Sequence, residues 1–434
     1  MKRWLVVVLV VLALLVLLAP GIVGRMAENN IADNIEWAES DTPGVTIETE
    51  RFDRGWFTSE GRHRVVFDGG EFRDAATYYA DATGNPELPS LIIDTTLDHG
   101  PLPGGIPGLA AAVSTLQIDP GNGELIDIPG NLTSRVGLTG TTDSRLLIES
   151  GSFQQDDAVV SWDGADIAFQ SNPSTGALTA DGEVKPWRVD GDEGRIEFGT
   201  LTVKADQVRS DFGFNVGTVD LSMGQITLSD AASTLTIGGA TIVADSEIAG
   251  DRVNASSNFA VDDISVPAFG DMSFAMDVTM QDIDAAAINR IAEALEEAQD
   301  ALDPDAALAN IYPEIEGDLQ TLAQRGFSLA IDRLDITLPQ GVVASTLSID
   351  VPESDADRFD WGFVLLNMSA NLDLRIPAEV YQMAAMMSPE AGSLVSMGFL
   401  KQEGDEFVMQ AEYAQGLVNV NGAPMPLPMP GMQQ

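Results

Sequence analysis

His63 and His99 are the only histidines in the chain, and by residue type they are the best candidates for a general base or a metal ligand. His63 falls between two arginines in the polar phase of an alternating segment, so we expect it at the surface. His99 precedes a Gly-Pro pair, where its ring can simply hydrogen-bond a turn. The sequence has no Gly-x-Ser-x-Gly elbow, no Gly-Lys-Ser/Thr phosphate loop and no His-Glu-x-x-His motif. We therefore predict no catalytic, cofactor-binding or metal-binding residue, and a protein that is not an enzyme.

Three oxygen-rich segments, Asp119–Glu124, Asp190–Gly194 and Glu353–Asp357, offer carboxylates to a cation. None of them has the full twelve-residue spacing of a calcium loop. Polar hairpin tips are the commoner explanation for such segments, and a structural calcium site is the alternative.

The charge of the chain excludes several classes of function. Its 67 acidic residues outweigh 22 basic ones, giving a formal net charge of −45, which repels phosphate backbones and anionic lipid headgroups. Nucleic-acid binding and broad electrostatic docking onto a membrane are therefore not expected. With 44% hydrophobic but only 6% aromatic residues, the chain can bury a large aliphatic core. It contains no cysteine, which excludes disulfides and thiolate chemistry.

The first structural element that the sequence predicts is a segment long enough to cross a membrane. Trp4–Gly24 contains no charged residue and follows Lys2 and Arg3. At about 1.5 Å per residue, a helix of this length covers the roughly 30 Å hydrocarbon core of a bilayer. We predict a transmembrane anchor at residues 1–24, with cleavage at Ala19-Pro20-Gly21 as the alternative. The basic start indicates a cytoplasmic N-terminus and a body on the other side of the membrane.

After a predicted stalk at residues 25–43, most of the chain alternates between apolar and polar residues. The pattern predicts an antiparallel β region at 44–280, a helical hairpin at 281–326, and a β return at 327–434 with a short helix and a C-terminal hairpin. We expect the return to continue the same body as 44–280.

Three local predictions can be checked directly. The alternation in Arg195–Asp206 slips at Gly199-Thr200, which indicates a β-bulge. Asp282 and Asp284 can cap a helix. Phe359–Ile376 looks like a strand.

The fold class is therefore mainly β with minor α (α+β). We expect an N-terminal transmembrane helix followed by a long antiparallel, strongly twisted or curved sheet, with a helical hairpin and one further helix.

Several short motifs resemble those of YdgA-like proteins, a bacterial family anchored in the inner membrane and of unknown function. Phe52–Ser59 resembles the family's aromatic-x-Arg-Gly-hydrophobic-Phe-Ser-Ser segment, and Asp98–Pro103 resembles its Asp-His-Gly-Pro-Phe-Pro turn. Ser134–Gly137 resembles a following Ser-Arg-Ile-Gly strand. Leu372–Pro377 precedes a helix as in the family, and Tyr413–Gly422 matches its closing Asn-Gly hairpin.

The resemblance implies a periplasmic location in the cell envelope and supplies no catalytic residue. It singles out ten family-motif positions as candidate site residues: Arg54, Gly55, Trp56, Phe57, Ser59, His99, Gly100, Pro101, Asn421 and Gly422.

The predicted strands far outnumber the three helices expected after the anchor, so coverage of the sheet is the functional question. A sheet with an apolar face must bury it against a second sheet, helices or another molecule. A closed sandwich favours a structural or binding role. An open groove favours a membrane-tethered scaffold that binds or passes lipid.

The alternative is a protein-interaction module with no lipid role. It would use the methionine-rich C-terminal surface, since eight of the fifteen methionines lie in Met383–Met432. Methionine also fills irregular gaps in cores, so both interpretations of these residues stay open.

Overall fold

The computed structural model describes residues 45–54, 58–67, 90–99, 103–106, 108–120, 125–155, 158–191, 194–230, 233–266, 270–300, 304–354 and 359–425. Within these ranges, no helix is both long enough and apolar enough to cross a membrane. The predicted anchor at 1–24 and stalk at 25–43 lie outside the described residues and stay predictions.

The chain divides into two compact units. The first contains Met1–Ser210 and Gly217–Thr234, and the second contains Asp211–Val216 and Leu235–Gln434.

The strands up to the end of the first unit's main stretch are β1 Val45–Arg54, β2 Thr58–Phe67, β3 Ser90–His99, β4 Ala110–Asp119, β5 Ile126–Val136, β6 Thr142–Ile148, β7 Gly151–Gln155, β8 Ala158–Trp162, β9 Ala165–Asn172, β10 Ala177–Val184, β11 Trp187–Gly191, β12 Gly194–Phe198 and β13 Leu201–Arg209. The later strands are β14 Asn215–Met223, β15 Ile226–Ser229, β16 Thr234–Ile237, β17 Ala240–Ala249, β18 Arg252–Val266, β19 Gly270–Asp284, β20 Phe327–Leu338, β21 Gly341–Val351, β22 Ser369–Pro377, β23 Lys401–Glu403, β24 Glu406–Ala414, β25 Leu417–Val420 and β26 Ala423–Met425. The helices are α1 Ala285–Asp300, α2 Pro304–Asn310, α3 Tyr312–Arg325, α4 Trp361–Asn367, α5 Ala378–Met387 and α6 Pro389–Ser393, and a 3-10 turn occupies Pro103–Gly105.

The first unit is built from two antiparallel runs of strands. The longer run pairs β1, β2, β3, β4, β5, β6, β9, β10 and β13 in that order. The shorter run pairs β7, β8, β11, β12 and β15. One face of the longer run carries a buried core that includes Leu132 and Leu146, and aliphatic side chains dominate it as the composition predicts. The shorter run has its own cluster around Trp187, whose ring stacks on Phe198 at a centroid distance of 3.9 Å.

The second unit pairs β17, β18, β19, β20, β21, β22, β24, β25 and β26 in sequence, again antiparallel throughout. Helices α1 and α3 pack together on one end of this sheet, in a cluster that includes Val253, Ile283 and Leu322. Asp284 caps α1, as predicted, by accepting a hydrogen bond from the backbone nitrogen of Ala287 at 2.8 Å. Mainly β with few helices is therefore confirmed, whereas the transmembrane helix stays a prediction.

Two of the strand predictions are wrong in detail. Gly199-Thr200 does not form a bulge within one strand, because it separates β12 from β13, which pair with different neighbours. Phe359–Ile376 is not one strand, because Trp361–Asn367 forms helix α4. The cause is Asp360, whose side chain accepts a hydrogen bond from the backbone nitrogen of Gly362 at 2.8 Å and starts the helix.

Candidate functional site

The family-motif positions fall in two separate places. Arg54 and Ser59 face each other at the end of the β1–β2 hairpin, and His99 is the last residue of β3, which pairs with β2. The structure therefore brings these three to the same end of the first unit's sheet. Ser59 is buried, which fits a packing role. The other motif positions of this unit, Gly55, Trp56, Phe57, Gly100 and Pro101, lie outside the described residues.

In the second unit, Asn421 and Gly422 are the two central residues of the β25–β26 turn. Their φ angles are 52° and 80°, as a two-residue hairpin turn requires. These motif residues therefore specify a turn.

The surface position expected for His63 is wrong. His63 lies opposite Ile93 and two residues from the buried Val65, so its side chain is on the core face of the sheet. Its Nδ1 lies 3.1 Å from the hydroxyl of Thr49, and burial lowers the pKa of the imidazole below its usual value. The side chains of Arg62 and Arg64, on either side of His63, lie on the outer face of the sheet. The charge of these two neighbours is the reason that the sequence pattern predicted a surface position for His63.

The carboxylates near this histidine are held by arginines. Arg62 Nε donates to Asp94 at 2.7 Å, and this hydrogen bond lowers the pKa of the Asp94 carboxyl. Arg64 contacts both Glu50 and Asp119, at 2.7 and 2.8 Å. In the described parts of the chain, no three acidic or histidine side chains form a group that could hold a metal ion. These ion pairs tie strands together.

The second unit has an apolar face that crosses six strands. Directly opposed residues lie on the same side of a sheet, and the pairings of β18 to β22 and β24 align two rows of them. The first row is Phe259, Met276, Leu334, Ser345, Leu374 and Met409. The second row is Ser257, Val278, Ile331, Leu347, Leu372 and Ala411. At about 4.8 Å per strand, each row spans roughly 24 Å. We call these two rows the apolar face.

Helices cover the ends of the strands that carry this face. The α1–α3 cluster covers the end near Val253, and α4 packs near Val351. At the opposite end, α5 packs on Phe407 and Met409. Apart from Met409, no residue of the apolar face joins a buried core cluster among the described residues, and all are only half-buried. Next to the rows, Ile242 and Ile336 are 39% and 38% exposed.

A groove of about 720 Å³ lies in the same part of the sheet, against β20, β21, β22, β24 and β25. Its lining includes Ile331, Leu347 and Leu372 of the apolar face. Polar residues at intervening positions line it too, and they include three carboxylates: Asp332, Asp373 and Glu412. Successive residues of a strand point to opposite faces, so these intervening polar side chains line the groove on the face opposite the apolar face.

A second apolar surface lies on the helical cap formed by α5, α6 and the loop that follows them. Met386, Met387 and Met397 are 82%, 76% and 57% exposed, and Val395 is exposed beside them. We call these four residues the methionine tip. Another methionine of the region, Met409, is half-buried and packs against a core cluster, which fits the gap-filling interpretation for that residue.

The sequence does not disclose the apolar face directly, because a row across the sheet depends on the register between its strands. Register is set by pairings up to dozens of residues apart, so a single strand does not disclose which rows it will join.

The comparisons with known proteins define the class to which this fold belongs. Residues 1–428 match the family described as "Bacterial protein of unknown function (DUF945)", and the chain belongs to that family. It is also similar to Protein YdgA of Escherichia coli strain K12, with 23% identity over 197 residues. That match covers 41% of this chain and 39% of YdgA. The resemblance to YdgA-like proteins drawn from the motifs is thereby confirmed. No solved structure matches the chain.

Proposed function

We propose that this protein is a non-enzymatic, membrane-tethered scaffold of the periplasm that binds or passes lipid on the apolar face of its second unit. The single observation that carries the proposal is the apolar face itself. Mostly apolar side chains from six adjacent strands form two rows that remain half-buried, while the described helices pack at the strand ends.

Water contacts the half-buried apolar side chains of this face. Burial of apolar surface gains roughly 25 cal/mol per Å², so an uncovered row of aliphatic residues favours any apolar molecule that can cover it. Each buried methylene of an acyl chain gains a further ~0.8 kcal/mol. An acyl chain is flexible and uncharged, and it can follow the rows without leaving polar groups unpaired.

The predicted anchor at Trp4–Gly24 supports a location where lipid is at hand. It would hold the acidic body at the periplasmic surface of the inner membrane, with the N-terminus in the cytoplasm.

Site-specific photo-crosslinking in living cells tests this function. A photoreactive phenylalanine analogue replaces Leu347 in one variant and Ser348 in the other. The two positions are adjacent in β21 and point to opposite faces, so each serves as the control of the other. We expect mass spectrometry to find a lipid adduct at position 347 and not at 348. Equal labelling at both positions, or no lipid at 347, sinks the proposal.

A second candidate function rests on the exposure of the methionine tip, which also suits an envelope protein as partner. Crosslinkers placed within Met383–Met432 should then trap one protein in cells, and deletion of that region should abolish the adduct. The comparisons name no partner for this chain.

A further inference from the structure

We propose that the methionine tip inserts into a lipid bilayer and so places one end of the apolar face next to membrane lipid. This inference rests on the proposed function, because a lipid-binding face needs a route by which an acyl chain reaches it.

The exposure of the tip is fixed by a rigid base. The hydroxyl of Tyr381 donates hydrogen bonds to the carbonyl oxygens of Ala391 and Gly392, at 3.2 and 3.3 Å, which ties α5 to α6. The backbone nitrogen of Phe399 donates a hydrogen bond to the carbonyl oxygen of Leu394 at 2.9 Å, which fixes the loop that follows α6. The tip side chains therefore project from an ordered cap, and their exposure does not come from a loose terminus.

The methionine tip lies in a segment that carries much less charge than the chain as a whole. The chain carries a net charge of −45, yet Val380–Leu400 contains a single charged residue, Glu390. A membrane surface repels acidic protein surfaces, so a segment that lacks them can approach a bilayer. A protein interface usually carries a polar and charged rim as well. Methionine side chains are flexible and make adaptable apolar surfaces.

The tip connects to the apolar face through packed side chains. Helix α5 starts directly after β22, and Tyr381 on that helix packs with Phe407 and Leu400. Met409 packs against this cluster and is also the last residue of the first row of the apolar face. Packed apolar side chains thus connect the base of the cap with the sheet.

Fluorescence of single-cysteine variants tests the proposal. The chain has no cysteine, so an environment-sensitive dye can be attached at one chosen position of the full chain. The variants are M387C and M397C, with E390C on the same cap as the polar control. F363C is the apolar control, since Phe363 is 47% exposed on α4, before the start of β22, whereas the tip follows its end. Each labelled chain is reconstituted in phosphatidylcholine vesicles.

We expect the dye emission at positions 387 and 397 to shift to the blue when the labelled chain is reconstituted in the vesicles. Little shift is expected at positions 390 and 363. Substitution of Met386 and Met387 by glutamine, which nearly keeps the side-chain volume, should abolish the shift at position 397. Three results overturn the proposal: no shift at 387 and 397, an equal shift at 363, or a shift that needs an envelope protein extract in place of vesicles. Circular dichroism checks that each variant is folded.

The crosslinking at Leu347 reports on the proposed function separately. If a lipid adduct forms at position 347 but the dye on the methionine tip shows no shift, only the inference that the tip inserts into a bilayer is rejected. A membrane-inserted tip without any adduct at 347 rejects the lipid-binding face and leaves the tip as a second membrane contact.

Discussion

Asn421 makes four hydrogen bonds that join three segments of the second unit. Its backbone nitrogen donates to the carbonyl oxygen of Gln410 at 2.7 Å, and its Oδ1 accepts from the backbone nitrogen of Gln410 at 2.9 Å. Its Nδ2 donates to the carbonyl oxygens of Phe399 and Gly398, at 3.1 and 3.3 Å. A residue marked by a family motif therefore holds strand β24 to the loop of the helical cap.

We predict that N421G destabilises the protein by about 1–3 kcal/mol, because it keeps the left-handed turn but removes three side-chain hydrogen bonds. N421A should cost about 1 kcal/mol more, since alanine also resists a positive φ. Urea denaturation measures both values. Gln415, which has a φ of 53° in the preceding turn, gives the control Q415G. If N421G is no less stable than Q415G, the side chain of Asn421 has no structural role.

His63 gives a prediction on pH. Burial lowers the pKa of its imidazole below about 6.5, so the unfolded chain takes up a proton at a higher pH than the folded chain. The stability that this histidine contributes is complete above pH 6.5 and is lost as the pH falls below that value. The urea midpoint of the natural protein should therefore decrease between pH 7.5 and pH 5.5, and H63Q should reduce that decrease.

The variant H99Q is the matched control, because it removes the other histidine and leaves His63 in place. A pH dependence that disappears in H99Q and persists in H63Q would contradict the assignment. A growth defect in H99Q without loss of folding would instead revive an enzymatic role.

At the scale of elements, Asp284 connects the sheet to helix α1. It is the last residue of β19, it caps α1, and its Oδ2 accepts a hydrogen bond from Arg325 Nη1 at 2.6 Å. Arg325, at the end of α3, also pairs with Asp251 at 2.7 Å. One buried carboxylate therefore sets the start of α1 and the position of α3.

We predict that D284A costs at least about 1–2 kcal/mol in the free energy of unfolding, the usual effect of losing an N-cap, because Arg325 loses a buried partner as well. D284N should cost less, since its amide oxygen can still cap the helix. Urea unfolding followed by circular dichroism distinguishes the two variants. Equal losses in D284A and D284N would show that the cap contributes nothing.

Strand alternation predicted the mainly β fold with its antiparallel sheet correctly. It failed where a short apolar run is compatible with either a helix or a strand. In Trp361–Asn367 the capping side chain of Asp360 decides in favour of the helix. It also failed at Gly199-Thr200, where the choice between a bulge and a strand end depends on neighbours distant in sequence. Local pattern defines elements, whereas pairing partners decide how they end.

At the scale of the whole molecule, the excess of acidic groups opposes the compact state. Most described arginines are paired with a carboxylate, so the remaining acidic side chains repel one another over the surface. The composition of the sequence alone gives this net charge. The candidate lipid-binding face can be identified only from the register of six paired strands. A sequence count contains no information about which residues share a row.

We predict that the thermal midpoint rises when NaCl increases from 0.01 to 0.1 M, because the Debye length falls from about 30 to about 10 Å. Thermal unfolding followed by circular dichroism gives the measurement. Choline chloride should raise the midpoint equally if screening is the cause. A further increase with calcium at constant ionic strength would instead indicate a cation site in the acidic turns, and an insensitive midpoint contradicts the repulsion argument.

The order of pairing in the second unit has a consequence for biogenesis. From β17 to β22 each strand pairs with the strand that follows it in the chain, and β24, β25 and β26 continue the series. A polypeptide that crosses a membrane from its N-terminus can therefore add strands in the order in which they emerge. Hairpin additions such as β17–β18 and β20–β21 close short loops, which cost little entropy, whereas β19–β20 and β22–β24 pair across intervening helices. Until the last hairpin forms, the growing sheet presents an unpaired edge, which can pair with the edges of other chains.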